Sequence, residues 1–507
     1  MRLTPVFCAA FGTTVGFYLL AFLAPVITLV FLLVSLAALC FFRVLASFCR
    51  EETAPNRYDV DLLFNGKLGE PRLLQLTSVC VTVFTAGLVL GICAAGAGRK
   101  ETKFAIAPEK ITAVEGTLLE DPRIISGGRA ISVLSLQRCA GEGGIRASSG
   151  GEVTVFFPQE SAGRLKSFGR GAEVFSEGSL RLTETGWTFS ASSMHVVKPA
   201  PAIERMRTGI RLNLIDRFEG KDSSGLSDGG GLALVLLLGI RDNLDSNLAA
   251  MYRNAGCSYI LALSGMHLAV LAALLAFLLK KPLGLRVSSV TGAVIIGLYC
   301  FIVGPMPSLN RAALMYLLGV IAILGALPKE PLSILSLSFL IQIVISPAAG
   351  YSISFILSYL ALAGILIIGQ PLYSLFAGKA PDFLLQPLSA SCGAFLATAG
   401  ITCFSFGVIV PMGIITGLVL VPLTTIFMIG SLLWLVLDFI SLSGFLSFPL
   451  TMLYKLMEGI VFMAGRLGGI SAARPSVILT LSIVLSLLIV ALEYKLRHVR
   501  LNLQPFS

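Results

Sequence analysis

The chain reads as a polytopic α-helical membrane protein of about 12 spans, with an inserted small β-barrel of OB-fold-like type on the extracytoplasmic side. Three observations predict this. Of 507 residues, 55% are hydrophobic and only 13% charged, and the mean hydropathy is +0.87. Apolar runs of about 20 residues, the length that crosses a bilayer, recur along the chain. Residues 108–198 interrupt them with alternating apolar and polar positions, the pattern of half-buried strands.

Residues 4–48 form an apolar tract broken at Pro25, read as two closely spaced spans, with Gly12 and Gly16 spaced for close helix packing. Leu73–Gly96 makes a third span and completes an N-terminal membrane region, residues 1–98. Arg43, Arg50, Arg57, Lys67 and Arg72 place the segment between in the cytoplasm by the positive-inside rule. The first apolar stretch is too long for a cleavable signal peptide and carries no evident cleavage site.

Within 108–198, strands are expected at Ile111–Leu119, Arg129–Cys139, Glu152–Phe157, Ala172–Leu182 and Trp187–Val197. A short helical stretch, Ser161–Phe168, falls after the third. Five strands with a helix in that position follow the order of an OB-fold, whose exposed face binds oligonucleotides or oligosaccharides. The binding face would draw on Arg129, Arg138, Phe156, Arg181, Trp187 and Phe189, since aromatic platforms among basic groups suit unpaired bases and phosphates. The alternative is a spacer barrel whose aromatics are core.

Residues 203–256 form a connecting region. Ile203–Glu219 is an amphipathic helix with Met206, Ile210, Leu214 and Phe218 on one line and Arg207, Arg211 and Arg217 off it. That predicts an interfacial helix with arginines toward lipid phosphates, or a contact with DNA at a channel mouth. Residues 220–231 read as a flexible linker. A helix over 243–254, capped by Asp242 or Asn243 and ended by Gly256, is too short to span and is expected to be re-entrant or interfacial.

The membrane core, 257–495, carries spans near 257–279, 287–303, 310–327, 332–346, 351–369, 387–405, 409–437, 444–463 and 476–492. Lys280, Lys281, Arg286, Lys329, Lys379, Lys495, Arg497 and Arg500 fall on one side, so both termini are expected inside. Residues 496–507 make a basic cytoplasmic tail, with no soluble domain expected after it. The net charge of +10 is largely accounted for by this topology.

The composition argues against several chemistries. Most of the ten cysteines lie in or beside spans, where they pack as small residues. Cys139 stands alone in the insert, so no disulfide is expected there. With three histidines in the chain, no HxHxDH cluster, no CxxC and no P-loop, no metal, cofactor or catalytic residue is expected. The polar features that need an explanation lie within the spans. Ser264, Gly265 and His267 share one helix side. The turn Gly304–Arg311 carries Ser308 and sends Arg311 into the next span, where an arginine needs water or an anion. Ser354 and Ser358 mark one face, and Ser391, Thr398 and Thr402 another, as packing glue or as lumen. Gly413 and Gly417 fit close helix packing.

The stretch LLLGIRDNLDSNLAAMYRNAGCSYILALSGMHLAV, followed by PSLNRAALMYLLG and SPAAGYSISFILSYLALAGI, resembles the membrane core of the ComEC family of competence DNA-uptake channels. The upstream spans and insert are similar to that family's N-terminal region. The resemblance implies a channel in the bacterial cytoplasmic membrane that passes single-stranded DNA inward. Residue by residue it points to Gly239, Arg241, Leu244, Arg253, Gly256, Ser264, Gly265, His267, Ser308, Arg311 and Ser358. The chain departs from the family pattern at Ile240, where an acidic residue is common, and at Tyr259, where histidine is common. It also departs at Gly400 and Gly417, in place of proline and asparagine. The metallo-β-lactamase-like domain of many members is missing, so a separate nuclease is expected. A separate DNA receptor is expected too, with a cytoplasmic ATPase or helicase, or the proton gradient, as the energy source. Two other readings stay open: a transporter of anionic or sugar-containing solutes, and a membrane-embedded hydrolase using Ser264 and His267.

Overall fold

The computed structural model describes residues 5–22, 70–98, 102–125, 128–141, 146–161, 169–183, 186–220, 226, 229–466, 468–471 and 474–502. Among the described residues, the first helices are α1 (Pro5–Phe22) and α2 (Glu70–Gly98). The second span expected within 4–48 and the basic segment Arg50–Lys67 lie outside the described residues.

The insert contains β1 (Ile111–Leu118), β2 (Arg123–Ile124), β3 (Ala130–Gly141), β4 (Arg146–Ser148), β5 (Glu152–Phe157), β6 (Glu173–Thr183) and β7 (Gly186–Lys198). The five long strands match the expected ones to within two residues at each end. β2 and β4 are short additions to β3. The helical stretch Ser161–Phe168 lies almost wholly outside the described residues.

Then come α3 (Ala202–Glu219), α4 (Gly230–Leu238), α5 (Ser246–Asn254), α6 (Gly265–Val303), α7 (Pro307–Leu324), α8 (Pro331–Ile345), α9 (Ile353–Phe376) and α10 (Asp382–Phe406). The chain continues through β8 (Val408–Ile409), α11 (Met412–Asp438), α12 (Gly444–Gly465), β9 (Ile470–Ser471) and α13 (Pro475–Asn502). Seven of these helices are long and apolar enough to cross a membrane: α6, α7, α9, α10, α11, α12 and the Pro475–Leu496 part of α13. This makes the chain a multi-pass membrane protein. The helix α6 joins the spans expected at 257–279 and 287–303; Pro282 and a left-handed Gly284 (φ 73°) break it between them. It also starts later than expected, because residues 257–264 form turns that end in the cap Ser264.

The chain divides into two units. In the first, residues 1–99 and 314–367, α1 and α2 pack backbone to backbone. A Cβ on Gly12, Gly16, Gly87 or Gly91 would run into a carbonyl oxygen of the other helix. Only glycines allow that approach, as the spacing of Gly12 and Gly16 predicts. Beside them an aromatic cluster of Phe17, Phe339, Phe355 and Tyr359 closes the core. Tyr18 Oη donates to Gly350 O (3.0 Å) and Tyr351 Oη to Ala95 O (2.8 Å), so each half-buried phenol is satisfied.

The second unit, residues 100–313 and 368–507, holds the insert and most of the long helices. The insert is a closed ring of mixed sheet. β1 pairs antiparallel with β6, β6 with β7, β5 with β3 and β3 with β1, while β5 and β7 run parallel. Alternation puts Val114, Leu118, Leu134, Val153, Val155, Phe157, Val174 and Phe189 inside, and each such side chain contributes roughly 1.5–3 kcal/mol when fully buried.

Among the helices, α11 is the wall along which the connecting region is laid. Arg217 Nη1 reaches Asp438 Oδ2 (2.6 Å), and Phe218 stacks on Trp434 (centroids 5.3 Å). Gly229 meets Phe427, Tyr259 meets Gly417, and Gly256 meets Gly413. Gly413 to Asp438 is about 38 Å of helix. Arg217, Phe218, α4 and the turn Gly256–Tyr259 therefore lie against parts of α11, while α5 packs on α12, where Gly465 meets Met251. Discontinuous helices of this kind are stable at membrane depth only when protein covers them, and α4 is almost completely buried.

Candidate functional site

Ser264 is extended (φ −119°, ψ 169°) and caps α6, with His267 three residues on closing the cap. The Ser264 backbone N–H donates to His267 Nδ1 at 3.0 Å. Nδ1 is thus an acceptor, which leaves the proton of the neutral ring on Nε2. That Nε2 is buried and finds no hydrogen-bond partner among the described residues. The Ser264 hydroxyl lies 3.4 Å from the same Nδ1, which is already engaged by the backbone, so the pair is a helix cap in its geometry.

The next helix is brought to this turn by two contacts. Ser308 Oγ donates to Leu263 O at 2.7 Å. Arg311, 8% exposed, lays its guanidinium over Gly265, where a Cβ would stand 3.0 Å from Nη2. Five of the residues expected in the path (Ser264, Gly265, His267, Ser308 and Arg311) thus form one cluster. Its electrostatics are unusual, because a cation sits at the positive N-terminal end of a helix dipole. Two positive sources thus face one spot.

Arg241 and Arg253 are not part of this cluster. Arg253 is exposed on α5, and Arg241 follows the left-handed Gly239 (φ 70°) that ends α4. Ser358 is half-buried in α9, in the first unit. Asp245, not Asp242 or Asn243, caps α5 by accepting from Asn247 N (3.0 Å). Asp242 instead accepts from Ile124 N of the ring (3.3 Å). Gly256 has φ 73° and touches the Gly413 backbone, so its C-terminal role needs both its conformation and its missing side chain. Two of the family departures meet: the Tyr259 hydroxyl occupies the space a side chain at position 417 would take, and Gly417 leaves it open. Gly400 similarly admits Leu479.

On the ring, strand register sorts the expected capture residues. Arg181 pairs with Thr188, and Phe156 with Ser190 and Ile131, which puts Arg181 and Phe156 on the outer face. Trp187 and Phe189 have the opposite parity. Phe189 is fully buried in the ring core, and Trp187 packs on that core edge-on to Phe104 (5.1 Å). Phe189 is therefore a core residue and no stacking platform, because a one-residue offset moves a side chain to the other face. Arg138 is paired with Glu115 (3.8 Å), and Arg129 is exposed.

The amphipathic helix departs from expectation at its arginines. Met206 and Ile210 are exposed, and Arg207 is fully buried. Arg207 binds both oxygens of Asp121, and its Nη1 lies 2.7 Å from Glu204. Arg170 also reaches Glu204 (2.5 Å). Arg211 donates to the carbonyls of Ile302 and Val303 at the end of α6. Burial alone would lower the Arg207 pKa, and the two carboxylates more than reverse this. For Glu204, burial works upward, and the bonds from Arg170 and Arg207 leave it below the ordinary carboxylate value. This joint fixes ring, α3 and α6 together. The Glu204/Arg207 spacing hints at it in the sequence, but Asp121 lies in a loop 86 positions away and gives no signal.

Comparison with known proteins places these features. A family model described as Competence protein matches residues 236–497, just over half the chain, and includes every motif residue from Gly239 to Ser358. An uncharacterized protein of Aquifex aeolicus (strain VF5) is 27% identical over 260 residues, 51% of this chain and 58% of its own length. ComE operon protein 3 of Bacillus subtilis (strain 168) is 28% identical over 141 residues, 26% of this chain and 18% of its own. The chain thus spans somewhat over half of the first relative and under a fifth of the second.

Proposed function

Because the chain belongs to the Competence protein family, we propose that it is a membrane channel that passes single-stranded DNA into the cytoplasm during DNA uptake. The observation that carries this reading is the cluster at the start of α6, where the Arg311 guanidinium lies over the N-terminal turn at Gly265. A polyanion crossing a membrane needs positive potential where the path narrows, and helix dipole plus guanidinium supply it. In this reading Ser264, Gly265, His267, Ser308 and Arg311 form the constriction, while Arg241, Arg253 and Ser358 contact the strand elsewhere.

The ring is read as an extracytoplasmic OB-fold that captures DNA, supported by its strand order and by Arg129, Phe156 and Arg181 on its outer side. About 12 spans with both termini inside complete the arrangement. The chain itself is read as non-enzymatic, served by a separate receptor, nuclease and energy source. The test is a deletion strain scored for internalised DNA and complemented with wild type or Arg311→Ala. Restored uptake with the wild type and none with Arg311→Ala, at equal membrane levels, is expected. Full uptake by Arg311→Ala removes the constriction from this cluster.

A further inference from the structure

Between the ring, α3 and the turn after α4 lies an open cleft of about 100 Å³. Three arginines line it: Arg123 from β2, Arg211 from α3 and Arg241 from the turn. Its carboxylates are all engaged. Asp121 is bound by Arg207 and stands 3.5 Å from Arg211. Glu120 pairs with Arg123 (3.3 Å), and Asp242 accepts from Ile124 N.

Arg241 stands apart from this balance. It has no hydrogen-bond or ion-pair partner among the described residues. Crowding by neighbouring atoms, then the like charge of Arg123, disfavours its protonated form. A pair of like charges around one opening asks for an anion that accepts several hydrogen bonds.

We propose that this cleft binds a phosphodiester phosphate between Arg123 and Arg241, distinct from the cluster at the start of α6. Guanidinium forks match phosphate oxygens in geometry as well as charge. The inference rests on the DNA reading for the source of the phosphate, a strand passing from the ring to the helices. An anionic lipid headgroup presents the same chemistry, and the two sources are separable.

The experiment uses the full chain in phosphatidylcholine nanodiscs, with a fluorescent oligothymidylate of about 20 nucleotides titrated at several salt concentrations. For the wild type, log affinity falls with log salt, and Arg241→Gln reduces that slope by about 0.7, the value of one single-strand phosphate contact. Arg241→Lys keeps the charge and most of the slope, which separates lost contact from lost fold. A second arm measures the melting shift on adding phosphatidylglycerol to the discs. A wild-type shift lost in Arg241→Gln, without oligonucleotide binding, sustains the site with lipid as its source and sinks the DNA reading. Oligonucleotide binding with an unchanged slope in Arg241→Gln and no lipid-dependent shift overturns the site and leaves the DNA reading intact. Neither binding nor shift in the wild type overturns both.

Discussion

Asp121→Asn cuts the joint that holds the ring to α3. Arg207 has no exposed side-chain surface, and Asp121 is 25% exposed. Removing one partner of a buried ion pair costs roughly 3–5 kcal/mol, mostly because the other charge is stranded. Here Glu204 still sits 2.7 Å from Arg207, so the lower end, about 3 kcal/mol, is expected. Arg207→Met strands less, because Asp121 keeps Arg211 at 3.5 Å. The double variant should therefore be less destabilised than the sum of the singles, with a coupling of about 2 kcal/mol. The chain has two tryptophans, Trp187 in the ring and Trp434 on α11. In a Trp434→Phe background, Trp187 fluorescence reports urea unfolding of the ring in detergent. Additivity within about 0.5 kcal/mol, as for independent sites, would show that the pair is not what holds the joint.

Two other outcomes follow from the same geometry. Glu204 has a folded pKa below its unfolded value of about 4.3. Its contribution is complete above that value and is lost as pH falls through the folded pKa. The melting temperature of the ring should drop below about pH 4 in the wild type and flatten in Glu204→Gln; parallel profiles would remove Glu204 from the joint. At the cap, His267→Asn offers an amide oxygen where Nδ1 now accepts the Ser264 N–H, whereas His267→Leu offers none. The leucine variant should lose about 1 kcal/mol and the asparagine variant little, and equal melting of the two would deny the cap.

How much of this was legible depended on the kind of signal. The ring strands could be read because period-two alternation is local, and their ends fall within two residues of expectation. Which face was inner could not be read from the same alternation. Phe189 was grouped with Phe156 although the parallel pairing of β5 with β7 puts them on opposite faces. The α3 helix misled for a related reason. Its arginines face inward because Asp121 and two backbone carbonyls wait there, and none of these is a neighbour in sequence. The cluster at the start of α6 was legible as far as its residue types. That Arg311 covers Gly265, and that His267 serves as a cap, needed the fold. The helix α4 escaped notice because seven apolar residues after a glycine run look the same whether they form a strand, a helix or part of a span.

Two nine-residue helices, α4 against α11 and α5 against α12, also bear on biogenesis. Each rises only about 14 Å, too little to be held in a bilayer as a span. They leave the ribosome long before α11 and α12, the helices they pack on. This part of the core is therefore completed late, once those helices are made, and the order of synthesis is not the order of folding. Cys257 is fully buried in the finished protein. In a nascent chain halted before Met412 its thiol should react with a water-soluble maleimide, and protection at that length would mean that some other surface shelters it first.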